Sequence, residues 1–450
     1  FKQKTAYEIM PSLVGSEMCI RDRVRSWGWS RSGLPWQKPG EPDPRRADQS
    51  RTGREQKIQA DRKIHQTLAS NIIICGDLFA RCTMNGKERP QRQPSARGRW
   101  RWAEGYRQLR QEKPPGIQSA SYDLKTLVRQ GLLREQQLRA FQEATGLANF
   151  SWRMFYAQEQ AVPNREAAIR RAVGFVIFMH GWDGTGAIWE HLPALVCACE
   201  PRLVALVPDV NGFGGSPFLD DIPPVELCDP PACIRAVEHW LTLLKLRSGP
   251  IRRKRVLNFV GHSMSGAALF YKTIEGWEDE RYTLCAIAPA LLCNDVLRKG
   301  FYKVMGVGII AGIDMGALDK LKVAIAPRLI RELIGGASTA VRREHLRVFR
   351  RTSKGTLAQT FYALGLAKAL PRRPSWDNFR VILGHRDRLV GLAPMLELLE
   401  ELGLRSSNIR VVLGDHYLFS VNRRFSPHHA ENRELVLQDI LALHRWAAAR

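Results

Sequence analysis

The sequence predicts an α/β fold, a doubly wound and mostly parallel sheet with a helical lid insertion. Three observations carry this. Short apolar runs of strand length alternate with helical patterns from Val173 to Trp446, as parallel strands joined by crossover helices require. The run Val173-Gly174-Phe175-Val176-Ile177-Phe178-Met179 has no polar position at all, which suits a strand buried on both faces of a parallel sheet. The run Val256 to Val260 leads into Gly261-His262-Ser263-Met264-Ser265-Gly266, a serine among small residues where a strand turns sharply into a helix.

Composition sets the outer bounds. With 450 residues, 44% of them hydrophobic, the chain can bury a large core and hold two or three domains. Its net charge of +24 is uneven: residues 1–119 carry 24 Lys and Arg against 12 Asp and Glu, and residues 120–450 carry 44 against 32. The nine cysteines form no Cys-x-x-Cys pair, so neither a disulfide framework nor the usual zinc spacing is indicated. Cys197, Cys199, Cys285 and Cys293 lie in apolar surroundings and are expected to be buried thiols in a reducing compartment such as the cytoplasm. No apolar run reaches the ~18 residues of a membrane span.

Residues 1–23 resemble a translated sequencing adapter, in Lys2 to Ile9 and Leu13 to Asp22, and are set aside as a fusion scar would be. From Val24 to Ser119 the chain is rich in Arg, Gln, Pro and Trp without a sustained period. Disorder is expected there, and an Arg-rich transit peptide or a nucleic-acid-binding arm using Trp100 and Trp102 is a lesser alternative. Residues 120–172 are expected to form a helical extension, with Leu124, Leu127, Leu132, Leu133, Leu138 and Phe141 at near-helical spacing around Gly131. Within it, Asn149 to Tyr156 fits a strand or a helix, because its alternation breaks at Phe155.

The core then reads in order. A strand over Leu203–Val207 precedes the loop Pro208 to Ser216, a helix covers Ile234–Leu246, and Val256–Val260 leads to Ser263. Further strands follow at Thr283–Ala288, Phe379–Leu383 and Ile409–Leu413, and a last helix runs from Arg433 to Trp446. The stretch between Ala288 and Phe379 is too long for a loop. It reads as helices, with Ser338 or Thr339 as an N-cap and an apolar stripe of Leu357, Phe361 and Leu364. Core segments 173–293 and 376–450 with a lid at 294–375 are therefore expected.

Four motifs in this order, His180-Gly181, Asp209-x-x-Gly212-x-Gly214-x-Ser216, Gly261-His262-Ser263-Met264, and an acid and a histidine after the last two strands, resemble the α/β-hydrolase superfamily over residues 173–450. One departure is Ser265, where the superfamily usually has glycine. The resemblance implies a serine hydrolase, esterase- or lipase-like, with Ser263 as nucleophile, His416 as base and backbone amides of Trp182 and Met264 as oxyanion donors. For the acid, Asp387 matches the loop after the seventh strand, and Asp295 after the sixth is the runner-up. Asp415 is read as a turn former, and His262 as packing or turn support. His428 and His429 come too late, in a polar loop. A serine needs a base to take its proton and an acid to orient that base, which these assignments supply. The serine also separates this chain from the aspartate-using dehalogenase and epoxide hydrolase branches.

No cofactor or metal is implied, and no nucleic acid partner is expected. The expected partner is a small acyl substrate, lipid included. Residues 294–375 hold 16 Lys and Arg against 5 Asp and Glu; this basic lid is read first as a solvated helix face, and otherwise as a transient contact with an anionic membrane surface. An acyltransferase or thioesterase on the same triad, or a non-catalytic binding protein of this fold, is the rival reading.

Overall fold

The computed structural model describes residues 116–158, 164–246, 255–273, 276–291 except 279, 336–366, 369–420 except 372, and 428–450, together with Pro114. Residues 1–113 and 292–335, Cys293 and Asp295 among them, lie outside the described residues. The elements in chain order are β1 (Ile117–Asp123), α1 (Leu124–Arg129), α2 (Glu135–Thr145), β2 (Ser151–Ala157), α3 (Arg165–Arg171), β3 (Gly174–Met179), a 3-10 turn (Gly186–Trp189) and α4 (Leu192–Cys199). Then come β4 (Leu203–Pro208), the short α5 (Val225–Cys228), α6 (Pro230–Leu243), β5 (Val256–His262), α7 (Met264–Phe270) and β6 (Arg281–Ile287). The described chain closes with α8 (Thr339–Arg351), α9 (Lys354–Leu364), β7 (Phe379–Gly384), α10 (Leu392–Glu401), β8 (Ile409–Val412) and α11 (His429–Ala448).

One eight-stranded sheet runs β1-β2-β4-β3-β5-β6-β7-β8. From β4 to β8 every pairing is parallel, and β1 and β2 join antiparallel at one edge. Every residue of β3, β4 and β5 is buried, because helices cover both faces. On one side α4 and α11 pack together, and on the other α6 packs on α2 and α7. The strand order reverses around β3, whose neighbours are β4 and β5. Loops leaving β3 and β5 therefore part at the carboxyl edge and open a crevice, where doubly wound sheets hold their sites.

The sheet begins earlier than the sequence suggested. The expected helical extension at 120–172 holds α1 and α2, but it also contributes β2 and most of β1 to the sheet. A boundary at residue 119 would cut β1. Two physical reasons hide these strands. β1 is an edge strand with mostly exposed positions in Gln118-Ser119-Ala120-Ser121, and edges stay polar to avoid further pairing. β2 buries Met154 and Phe155 in succession, so its two faces carry no clean alternation.

The helix that follows Ser263 is anchored at its far end. Lys272, just past α7, is buried with Nζ 2.8 Å from Glu238 and 3.2 Å from the Trp277 ring centre. A desolvated ammonium is tolerable only with such a carboxylate and aromatic face.

Candidate active site

The nucleophile turn is set by close backbone packing. Ser263 has φ 53 and ψ −114, a region that L residues avoid and that persists only where the surroundings impose it. Two glycines allow the turn. A Cβ on Gly261 would lie 2.4 Å from the Ser265 carbonyl oxygen, and one on Gly266 would lie 3.1 Å from both the Gly261 carbonyl oxygen and the Pro289 Cα. The Ser263 N–H donates to the Ile287 carbonyl at 3.0 Å, and its carbonyl accepts from Ala267 and Ala290 at 2.9 Å each. Ser265 keeps its small volume and adds a bond, since its hydroxyl donates to the His180 carbonyl at 2.5 Å. The residue that departs from the usual motif thus ties the serine turn to the loop after β3.

That loop, His180 to Asp183, presses on the serine: a Cβ on Gly181 would lie 2.9 Å from the Ser263 Cβ. His180 is fully buried, accepts from the Val210 N–H at Nε2 (2.9 Å) and donates from Nδ1 to the Gly181 carbonyl (2.7 Å). Burial, above all, depresses its pKa. It serves as a neutral spacer between two loops. The Asp209 carboxylate accepts from the N–H of Gly186 and of Gly215, 2.9 Å each. Gly214, at φ 62, leaves room for that carboxylate, whose Oδ2 would meet an added Cβ at 2.3 Å. The glycine-rich motif at 209–216 is therefore scaffolding.

Trp182 packs its side chain against α9. Its Nε1–H donates to Thr360 Oγ1 at 2.9 Å, and its ring stands edge-on to Phe361 with centroids 4.4 Å apart. Those partners come from α9, where Leu357, Phe361 and Leu364 are all buried. Met264 is the first residue of α7, so its N–H has no partner within the helix. Its sulfur accepts from Asn211 Nδ2 at 3.0 Å.

The structure brings Asp387 and His416 together. Asp387 Oδ1 accepts from the N–H of Leu389 (2.9 Å) and Val390 (3.1 Å), and Oδ2 faces His416 Nδ1 at 2.8 Å. Both side chains are buried. Gly384 is needed for close approach: an added Cβ would sit 2.4 Å from the Asp415 carbonyl oxygen. Asp415 accepts from the Tyr417 N–H at 3.0 Å, a turn-forming contact.

His262 proves to be a support that reaches further than a turn. It is fully buried, its Nε2–H donates to the His416 carbonyl at 3.0 Å, and the two rings are 4.8 Å apart. Burial, above all, holds its pKa well down, so it binds the base loop to the serine strand as a neutral ring. His428 instead lies exposed, 3.5 Å from Glu431. Cys197 and Cys285 are buried, with thiols pushed up by desolvation, that of Cys197 to about 12. Cys199, expected to be buried, is exposed at the last residue of α4, because its neighbour Cys197 takes the core-facing position.

Among the described residues no cluster of His, Cys, Asp or Glu could hold a metal ion, and no helix is long and apolar enough to cross a membrane. A cavity of about 550 Å³ opens between the 209–221 loop and α8, walled by Asp209, Asp221, Arg153, Arg347 and Arg351. Neither Ser263 nor His416 lines it.

A family profile described as "Alpha/beta hydrolase family" matches residues 176–428. The chain belongs to the alpha/beta hydrolase family. Three solved structures illustrate the likeness of fold. A hydrolase from Pseudomonas aeruginosa PA01 is 15% identical, with 66% of this chain and 94% of that one covered and a TM-score of 0.43. A thermophilic esterase from Thermogutta terrifontis is 16% identical, over the same 66% and 94%, with a TM-score of 0.43. The peroxisomal alpha-beta-hydrolase Lpx1 from Saccharomyces cerevisiae is 15% identical, over 75% and 91%, with a TM-score of 0.46. A comparison with curated proteins returned no match. For this alpha/beta hydrolase, hydrolysis is the activity the family carries.

Proposed function

We propose that this alpha/beta hydrolase is a serine hydrolase that cleaves an ester-like acyl bond through an acyl-enzyme. The observation that carries the reading is the 2.8 Å contact between Asp387 Oδ2 and His416 Nδ1, on loops beside a serine held at φ 53. With one carboxylate oxygen committed to two amides, the other is fixed for Nδ1–H, which leaves His416 Nε2 unprotonated. Nε2 takes the Ser263 proton as Oγ attacks the acyl carbon, and the imidazolium that forms is stabilised by Asp387. The backbone N–H groups of Met264 and Trp182 stabilise the oxyanion, each such donor being worth ~2.7–4 kcal/mol of barrier. His416 then returns the proton to the leaving alcohol, and water, activated by the same ring, releases the acid.

The described helices of the expected lid, α8 and α9, close over the acyl group in this reading. Supporting this, α9 sets Thr360 and Phe361 against Trp182, which makes that wall of the site apolar and suits a lipid-like acyl chain. Esters of medium or long acids should be cleaved with higher kcat/KM than acetate; equal rates across a p-nitrophenyl ester series would remove the lid from specificity.

The deciding experiment is labelling with a fluorophosphonate probe. Wild type should react and Ser263→Ala should not, while Asp387→Asn should lower kcat by about 10⁴ through the wrong tautomer of the base. A folded wild type that stays unlabelled would favour a binding protein of this fold. Full activity in Asp387→Asn would move the acid elsewhere.

A further inference from the structure

His345 is a buried histidine that the reaction above does not use. It sits on α8, 1% exposed, with Nε2 2.7 Å from the Tyr417 hydroxyl. Its other ring nitrogen, Nδ1, faces Asp183. The Asp183 carboxylate is farther, with Oδ2 3.7 Å from Nδ1, beyond hydrogen-bond range. Burial pushes the His345 pKa down to about 3 and that of Tyr417 well up, so ring and phenol are both neutral. The short contact then has one proton arrangement: Tyr417 O–H donates to Nε2, which leaves Nδ1–H on the side of Asp183.

The positions of the two partners give this arrangement its meaning. Tyr417 directly follows His416, and its ring also packs 4.6 Å from His262. Asp183 directly follows Trp182 and holds φ 55, a left-handed backbone rare for aspartate. One imidazole from α8 therefore touches the residue next to the base and the residue next to an oxyanion donor. If α8 moved away, the buried Tyr417 hydroxyl would lose this partner and Asp183 the ring beside it.

We propose that His345 is a positioning residue that locks the base loop and the oxyanion loop in register, so that turnover depends on α8 being docked. The inference rests on the serine hydrolase reading and adds to it a means by which the segment between β6 and β7 governs the site. An asparagine at this position retains a donor near Nδ1 and can still hold Asp183; a glutamine reaches towards Nε2 and can still hold Tyr417.

The full chain and its variants His345→Leu, His345→Asn, His345→Gln and Tyr417→Phe would be compared by p-nitrophenyl butyrate turnover, by thermal melting, and by amide hydrogen exchange over residues 181–185 and 413–420. His345→Leu should lower kcat at least about ten-fold, short of the 10²–10³-fold of losing an oxyanion donor, with KM within about two-fold. Exchange should rise in both loops. In His345→Asn it should rise only over 413–420, and in His345→Gln only over 181–185. Wild-type kcat and wild-type exchange in the three histidine variants would overturn the proposal, and should the leucine variant fail to fold, the two amide variants decide it. A wild type that turns over no ester would instead fault the serine hydrolase reading, and exchange would still show whether His345 holds the two loops.

Discussion

Ser263 stores strain in a backbone region that costs of order 1–3 kcal/mol for a non-glycine residue, as its φ of 53 and ψ of −114 indicate. Replacing it separates strain from chemistry. Ser263→Gly should be about 1 kcal/mol more stable than Ser263→Ala, since glycine relieves the strain but loses ~0.5–1 kcal/mol in chain entropy. Urea midpoints of the two inactive proteins would check this, and equal midpoints would mean the turn is relaxed. Ser265→Ala deletes the hydroxyl that binds the His180 carbonyl and leaves a buried acceptor unpaired, a loss of ~1–3 kcal/mol. Its kcat should fall more than its KM rises, because the loop it loosens carries Trp182, the proposed oxyanion donor. A change confined to KM would remove Ser265 from positioning. The sequence displayed Ser263, His416 and Asp387 because each ends a strand in a recognisable local pattern. It marked His262 only as packing or turn support and gave no hint of what Ser265 and His345 do, since the partners of the three, His416, His180 and Tyr417, are far along the chain and only folding brings them together.

Among the elements, α8 is held at its first turn by a side chain the sequence did mark. Ser338 Oγ accepts from the Val341 N–H at 3.2 Å and donates to Glu190 Oε1 at 2.6 Å, while Glu190 pairs with Arg433 of α11. Ser338→Ala should cost about 1–2 kcal/mol, above the usual ~1 kcal/mol for a lost cap, because Glu190 also loses a donor. Equilibrium unfolding would measure it, and a loss under half a kcal/mol would show that the cap is dispensable. Long or fully apolar elements were legible from period and composition: β3, β4, β5, α6 and α9 lie where the sequence placed them, within a few residues. β1 and β2 were not, because strand identity at an edge comes from the neighbour that supplies the hydrogen bonds, here β4 for β2, and not from the residues themselves.

For the whole molecule, burial of neutral histidines makes stability depend on pH in one direction. His180, His262 and His345 are 0%, 0% and 1% exposed and each has a depressed pKa. Below pH ~6.5 the unfolded chain binds protons that the native state refuses, so stability is present above that pH and lost as pH falls, by up to about 1.4 kcal/mol per unit for each ring. For His345 the loss continues to about pH 3. Urea midpoints should therefore be flat from pH 7 to 8 and fall steeply between pH 6.5 and 5; a midpoint unchanged at pH 5 would contradict neutral burial. The fold class was legible because alternation of strand and helix is a property of the whole core, whereas the proposed coupling of α8 to the site rests on one side chain, His345, and its two neighbours. Among the described residues the next strand after Ile287 begins at Phe379, and Leu284 and Phe379 sit side by side in the sheet. The entropy of closing a flexible loop grows only with the logarithm of its length, so doubling such an excursion costs about 0.6 kcal/mol. The sheet itself is therefore almost insensitive to the length of that excursion, and what ties the excursion to the rest of the molecule is a few side chains, such as His345 on Tyr417 and Ser338 on Glu190.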